Sequence, residues 1–156
     1  MDASAISQII FLIILLILSA FFSSAETALT TVNKIRMRTL ADDGNKRAEQ
    51  VLRITDDSHK MLSAILIGNN IVNLSASSLA TTLAIKLWGS VGAGIATGIL
   101  TFLILVFGEI SPKTFATLYA DQISIAYSGI IGFLMKILTP VIFLVNQFSM
   151  GFLFLL

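Results

Sequence analysis

Four long stretches with almost no charged residues constrain the fold of this chain more than any other feature of its sequence. They cover residues 3–25, 61–85, 87–108 and 122–156, and the last of them contains a single charged residue, Lys136. A helix of about 20 apolar residues crosses the roughly 30 Å hydrocarbon core of a bilayer. The sequence therefore predicts an all-α integral membrane protein.

Composition agrees with a membrane location and excludes several function classes. Apolar residues make up 56% of the chain and charged residues 12%, whereas a soluble domain carries about 25% charged residues. The chain has no cysteine and one histidine, which excludes disulfides, thiolate sites and multi-histidine metal sites within one chain. The net charge of +1 is too small to favour a nucleic-acid partner. The length of 156 residues predicts a single domain.

Basic residues determine the predicted orientation. We predict membrane spans at about residues 4–28, 61–85 and 88–112. The segment 33–60 carries seven of the ten Lys and Arg residues, so the positive-inside rule makes it cytoplasmic. A turn signal at residues 43–45 divides that segment into two amphipathic helical pieces. The chain is thus predicted to be a multi-pass protein of the cell (inner) membrane with its N-terminus outside.

The fourth apolar stretch, residues 122–156, has two readings. It is too long for one span, Lys136 lies near its middle, and Pro140 removes a backbone donor. Two short helices in the inner leaflet would accommodate both residues, and this broken inner-leaflet segment is our prediction. A single tilted span from Ile137 onward is the alternative.

Polar residues form three groups inside the predicted spans, where such side chains are costly and indicate a functional site by default. The first span carries Ser19, Ser23, Ser24 and Glu26, the second carries Asn69, Asn70 and Asn73, and the third carries Glu109 beside Gly108. Ser19, Ser23 and Glu26 are spaced to share one helix face. Pro112 removes the donor that the Gly108 carbonyl would meet in an α-helix. Because all three groups lie in the predicted cytoplasmic half, we expect them to converge.

Carboxylate, amide, hydroxyl and carbonyl oxygens are hard ligands that suit Mg²⁺, Ca²⁺ or Mn²⁺ rather than copper or zinc. Ordinary roles are also open for these residues. Serines in membrane helices bond their own preceding carbonyls, and asparagines bond across helices. Glu109 could pair with Lys113 at i+4, and Glu26 with Lys34 or Arg36.

Three motifs together resemble a known family. Residues 21–29 (FFSSAETAL), 68–73 (GNNIVN) and 108–113 (GEISPK) are similar to the transmembrane domain of the cyclin M / CorC magnesium transporters, in the same order. The resemblance implies a homodimer with three spanning helices per subunit, followed by short helices along the inner leaflet. It implies Mg²⁺ export with Na⁺ entry as the driving force. It also implies the ion ligands Ser23, Asn70 and Glu109, with Ser19 and the Gly108 carbonyl close by.

Family members continue into cytoplasmic nucleotide-binding regulatory domains, which this chain does not show. The leading hypothesis is a Mg²⁺ transporter whose exit route follows Asn73, Ser77 and Thr81. Na⁺ could bind at Ser24 or Asn73, and Glu26 is a weaker candidate ligand for the metal ion. The alternative is a membrane Mg²⁺ sensor that does not transport and that regulates another carrier. No catalytic constellation appears at membrane depth, so an enzyme is not expected.

Overall fold

The computed structural model describes residues 3–155, and every regular element in that part of the chain is a helix. The elements are α1 (Ala3–Thr31), α2 (Lys34–Asp42), α3 (Lys46–Asp56), α4 (Ser58–Leu103), a π-helical segment (Ile104–Ile110), α5 (Ser111–Leu118), α6 (Ala120–Ile137) and α7 (Thr139–Leu155). The predicted all-α fold class is confirmed.

Two helical runs are long and apolar enough to cross a membrane. They are α1, with 29 residues, and the continuous run Ser58–Leu118, with 61 residues. The pair α6 and α7, bent by 64°, becomes a third if the pair is counted as one span. The bend falls at Leu138, between Lys136 and Pro140, where the sequence predicts a break.

The long run folds back on itself at Gly89. This residue has φ 73° and ψ −164°, a conformation essentially restricted to glycine. Past this point the chain reverses and brings Gly92 back to Ala84. A Cβ on Gly92 would lie 2.8 Å from the carbonyl oxygen of Ala84. In a straight helix these residues would be about 12 Å apart.

Contacts with α1 give the directions of the two halves. Before Gly89, the Lys86 Nζ donates to the Ser4 Oγ at 2.8 Å, and Gly68 packs against Phe22. The first half is therefore antiparallel to α1. Beyond Gly89 the chain runs parallel to α1 and packs against it from Gly108 onward.

The basic segment forms α2 and α3, as the turn signal predicts. Asn45 caps α3 by accepting from the backbone N–H groups of Arg47 and Ala48. Helix α6 runs alongside α3, since a Cβ on Gly129 would overlap the guanidinium of Arg47. The start of α6 is tied to α2, because Asp121 accepts from the backbone N–H of Asn33 at 3.0 Å.

Candidate intramembrane cation site

Two serines of α1 have buried hydroxyls without a hydrogen-bond partner. Ser19 is 1% exposed and Ser23 is fully buried, and neither Oγ has a partner in the described part of the chain. Neighbouring Ser24 behaves ordinarily, since its Oγ donates to the Ala20 carbonyl at 2.7 Å and to that of Phe21 at 3.0 Å. An unsatisfied buried hydroxyl costs about 1–3 kcal/mol. Ser19 and Ser23 therefore need an explanation, as do the buried Gln8 Oε1 and Ser124 Oγ, which also lack partners among the described residues.

Gly108 brings a second polypeptide backbone against Ser19. A Cβ at position 108 would lie 2.9 Å from the Ser19 Oγ and 3.4 Å from its Cβ. Only glycine allows this approach without displacement. The structure thus places the predicted Gly108 position directly beside the predicted Ser19 position.

The turn around Gly108 is π-helical, which the sequence analysis did not predict. The backbone N–H of Ser111 donates to the carbonyl of Val106, five residues back. If this five-residue register continued by one residue, Pro112 would lie opposite the carbonyl of Phe107. In the α-helical register that the prediction assumed, Pro112 lies opposite the carbonyl of Gly108. A direct role for the Gly108 carbonyl therefore stays a prediction. π-helical turns are frequent at functional sites.

The amides of α4 divide between two faces. The Oδ1 atoms of Asn69 and Asn73 are buried and have no partner among the described residues. Asn70, the predicted ligand, is exposed in the single chain. Asn69 is not among the predicted ligands, and its i,i+4 spacing to Asn73 places the two on one face.

The charged residues pair differently from the predicted alternatives. Lys113 Nζ lies 3.3 Å from Glu26 Oε2 on α1, and both side chains are about half exposed. The pairing of Glu109 with Lys113 is therefore wrong, and so is that of Glu26 with Lys34 or Arg36. Glu109 is partly exposed and makes no ion pair within residues 3–155.

The contacts of Gly108 and Gly68 on α1 lie close together in depth, whereas Glu26 lies about 10 Å further along α1 from Ser19. Gly108 is beside Ser19, Gly68 is beside Phe22, and Lys113 is beside Glu26. Ser19 and Phe22 are three residues apart, which is about 4.5 Å along a helix. The backbones that carry the amides, the hydroxyls and Glu109 therefore come to a common depth. Among residues 3–155 no group of three or more His, Cys, Asp or Glu side chains is placed to hold a metal ion. Any cation here would depend largely on neutral oxygens.

Comparison with known proteins identifies the family. Residues 10–156 match the model of the cyclin M transmembrane N-terminal domain. The chain belongs to this family. The resemblance inferred from the three motifs is confirmed, and the family together with the long apolar helices places the chain in a membrane.

Relatives of the cyclin M domain occur in bacteria and plants. The chain is 46% identical over 150 residues to a UPF0053 protein of Haemophilus influenzae, with 96% of the chain and 36% of that relative covered. It is 41% identical over 132 residues to the UPF0053 inner membrane protein YfjD of Escherichia coli, covering 85% of the chain and 31% of YfjD. A DUF21 domain-containing chloroplastic protein of Arabidopsis thaliana is 38% identical over 147 residues, with 94% and 22% covered. The chain thus spans about a third of the length of these two bacterial relatives.

Proposed function

We propose that this domain carries Mg²⁺ across the membrane, outward from the cytoplasm. The observation that supports the proposal best is a set of buried oxygens without partners at the depth of Gly108. These are the hydroxyls of Ser19 and Ser23 and the amide oxygens of Asn69 and Asn73. Such oxygens in a membrane protein are expensive unless a ligand satisfies them.

The chemistry of these groups suits a transported cation. Mg²⁺ takes hard oxygen ligands at about 2.0–2.1 Å and usually keeps several waters. One carboxylate, from Glu109, with neutral oxygens from Ser19, Ser23 and Asn70 would bind Mg²⁺ loosely enough for release. The Gly108 carbonyl completes the proposed ligand set. Na⁺ entry, with Ser24 and Asn73 as nearby oxygens, is the proposed driving force.

The proposed topology has three crossings. The run Ser58–Leu118 contains 61 residues, or about 92 Å of helix, against a hydrocarbon core of roughly 30 Å. With the reversal at Gly89, this run crosses twice and α1 crosses once. Residues 33–60 would then be cytoplasmic, the N-terminus outside, and α6 and α7 in the inner leaflet.

A second copy of the chain would complete the site. Asn70 and Ser77 are exposed on α4 at membrane depth, and polar side chains facing lipid are costly. A homodimer that covers this face would place the stripe of Asn73, Ser77 and Thr81 along an internal outward route. Regulation by cytoplasmic domains of a longer protein is part of the same proposal.

Mg²⁺ efflux from loaded vesicles that contain the purified protein tests the transport proposal. Glu109→Gln keeps the shape of the side chain and removes its charge, so we expect efflux to fall at least tenfold. Glu49→Gln is the matched control, because Glu49 is exposed on α3 and bonds only to Arg53. Efflux from Glu109→Gln equal to that of the control would remove Glu109 from the proposal.

The alternative, a Mg²⁺ sensor that does not transport, makes a different prediction for the same sample. It predicts Mg²⁺ binding, measured by calorimetry, without efflux from vesicles that contain this protein alone. Efflux from the unaltered protein excludes the sensor as the whole function.

A further inference from the structure

We propose that a cavity between α3, the start of α4 and the end of α6 binds the phosphate of an anionic membrane phospholipid. The cavity has a volume of about 330 Å³. It lies apart from the cation site, and nothing in the proposed transport route uses it. Three basic side chains from three different helices line it: Arg53 of α3, Lys60 of α4 and Lys136 of α6.

The cations of this cavity outnumber by one the two carboxylates beside them, Asp57 and Glu49. Its one acidic lining residue, Asp57, accepts the backbone N–H of Lys60 at 3.3 Å and so caps α4. The Arg53 guanidinium bonds Glu49 at 3.1 Å, but Arg has five N–H donors. Lys60 and Lys136 make no ion pair within residues 3–155. Donors therefore remain available for a phosphate.

The two helices around the cavity place it at the level of lipid headgroups. Helix α3 exposes charged side chains, including Arg47 and Arg53, whereas α6 exposes Ile130, Phe133 and Ile137, each more than half accessible. The boundary between a charged surface and a large apolar surface is where water meets hydrocarbon. The cavity is lined by Arg53 from the charged surface and by Phe133 from the apolar one.

Lys136 is the residue that distinguishes a lipid site from an ordinary basic surface. It is the one charged residue of the stretch 122–156. A lysine at the edge of a membrane can simply extend to water. Here it shares a cavity with two further cations, and Phe133, Met135 and Ile54 also line that cavity. A phosphate next to an acyl chain matches this combination, and basic pockets on the cytoplasmic side bind such headgroups.

Native mass spectrometry of the purified protein in mixed micelles tests the proposal. The micelles contain either phosphatidylglycerol or phosphatidylcholine, and the bound phospholipid is counted per chain. We expect one phosphatidylglycerol to be retained in preference to phosphatidylcholine. From about 1 kcal/mol per basic residue near an anionic lipid, Lys136→Gln should weaken retention about fivefold and Lys60→Gln/Lys136→Gln about 25-fold.

Arg38→Gln is the matched control, because it removes the same charge from exposed α2, away from the cavity. Equal losses in the control and in Lys136→Gln would overturn the proposal, since they would show general electrostatic attraction. Equal retention of phosphatidylglycerol and phosphatidylcholine by the unaltered protein would also overturn the proposal. Inorganic phosphate shows whether the bound anion is a lipid headgroup or free phosphate. If inorganic phosphate protects the protein from unfolding and phosphatidylglycerol does not, the cavity is not a lipid site.

Discussion

Replacing Gly108 with alanine tests the close approach of α1 to the π-helical segment. The new Cβ would lie 2.9 Å from the Ser19 Oγ, whereas ordinary contacts begin at 3.4 Å, so either the hydroxyl turns away or the two backbones separate. Ser19 is 1% exposed and has little room to move. Overpacking of this kind costs about 1–3 kcal/mol, and alanine in a helix returns about 0.5–1 kcal/mol relative to glycine.

Gly94→Ala serves as the reference, because a Cβ there meets nothing within 4 Å. The helix-propensity term cancels between the two variants, so Gly108→Ala should be about 1–3 kcal/mol less stable than Gly94→Ala. Unfolding by denaturant in micelles measures this difference. Mg²⁺ binding by calorimetry should weaken in Gly108→Ala and stay unchanged in Gly94→Ala.

A double variant separates packing from ion binding at the same contact. Ser19→Ala/Gly108→Ala removes the hydroxyl and leaves only the 3.4 Å approach to the Ser19 Cβ. Most of the lost stability should return, while Mg²⁺ binding should stay weak because the oxygen is gone. If Gly108→Ala matches Gly94→Ala in both stability and Mg²⁺ affinity, the close approach is not what positions the site.

Three further experiments test other parts of the structure. The new Cβ of Gly68→Ala would overlap the Phe22 ring, so this variant should lose about 1–3 kcal/mol of stability. Adding Phe22→Leu should restore part of that stability. An unchanged unfolding midpoint in Gly68→Ala would contradict the contact between Gly68 and Phe22. Gly89→Ala forces alanine to φ 73° and should lower stability by about 1–3 kcal/mol, although no atom lies within 4 Å of the new Cβ. A double-mutant cycle between Glu26→Gln and Lys113→Met should give a coupling below about 1 kcal/mol that falls with added salt, since the pair is half exposed.

Local signals in the sequence predict the helices well. The predicted span at about 4–28 lies inside α1, and the predicted boundary between the second and third spans falls within four residues of Gly89. The break between Lys136 and Pro140 is found at Leu138. These features depend on apolar run length and on residues that end helices, which each segment carries in its own sequence.

Pairings between helices were harder to predict, because hydropathy does not report how a helix is rotated about its axis. A local rule favoured Glu109 as the partner of Lys113, but the fold brings Glu26 of α1 within 3.3 Å of it. The amides show the same difficulty: Asn69 and Asn70 are neighbours, yet Asn70 is exposed while the Oδ1 of Asn69 is buried. The π-helical turn was not predicted, because a proline indicates that one backbone donor is missing but does not specify how the neighbouring hydrogen bonds rearrange.

The two glycine contacts on α1 also limit how this protein can change shape. Ser19 packs against Gly108 and Phe22 against Gly68. Sliding α1 by one residue, about 1.5 Å with a turn of about 100°, would overfill the contact at Gly108 with Leu18 in one direction and leave a gap at Gly68 with Ser23 in the other. We therefore expect α1 and the two halves of the run Ser58–Leu118 to tilt together as one rigid block. Under the transport proposal, access to each side of the membrane would then change at the outer faces of this block, and the hydroxyls of Ser19 and Ser23 would keep their surroundings.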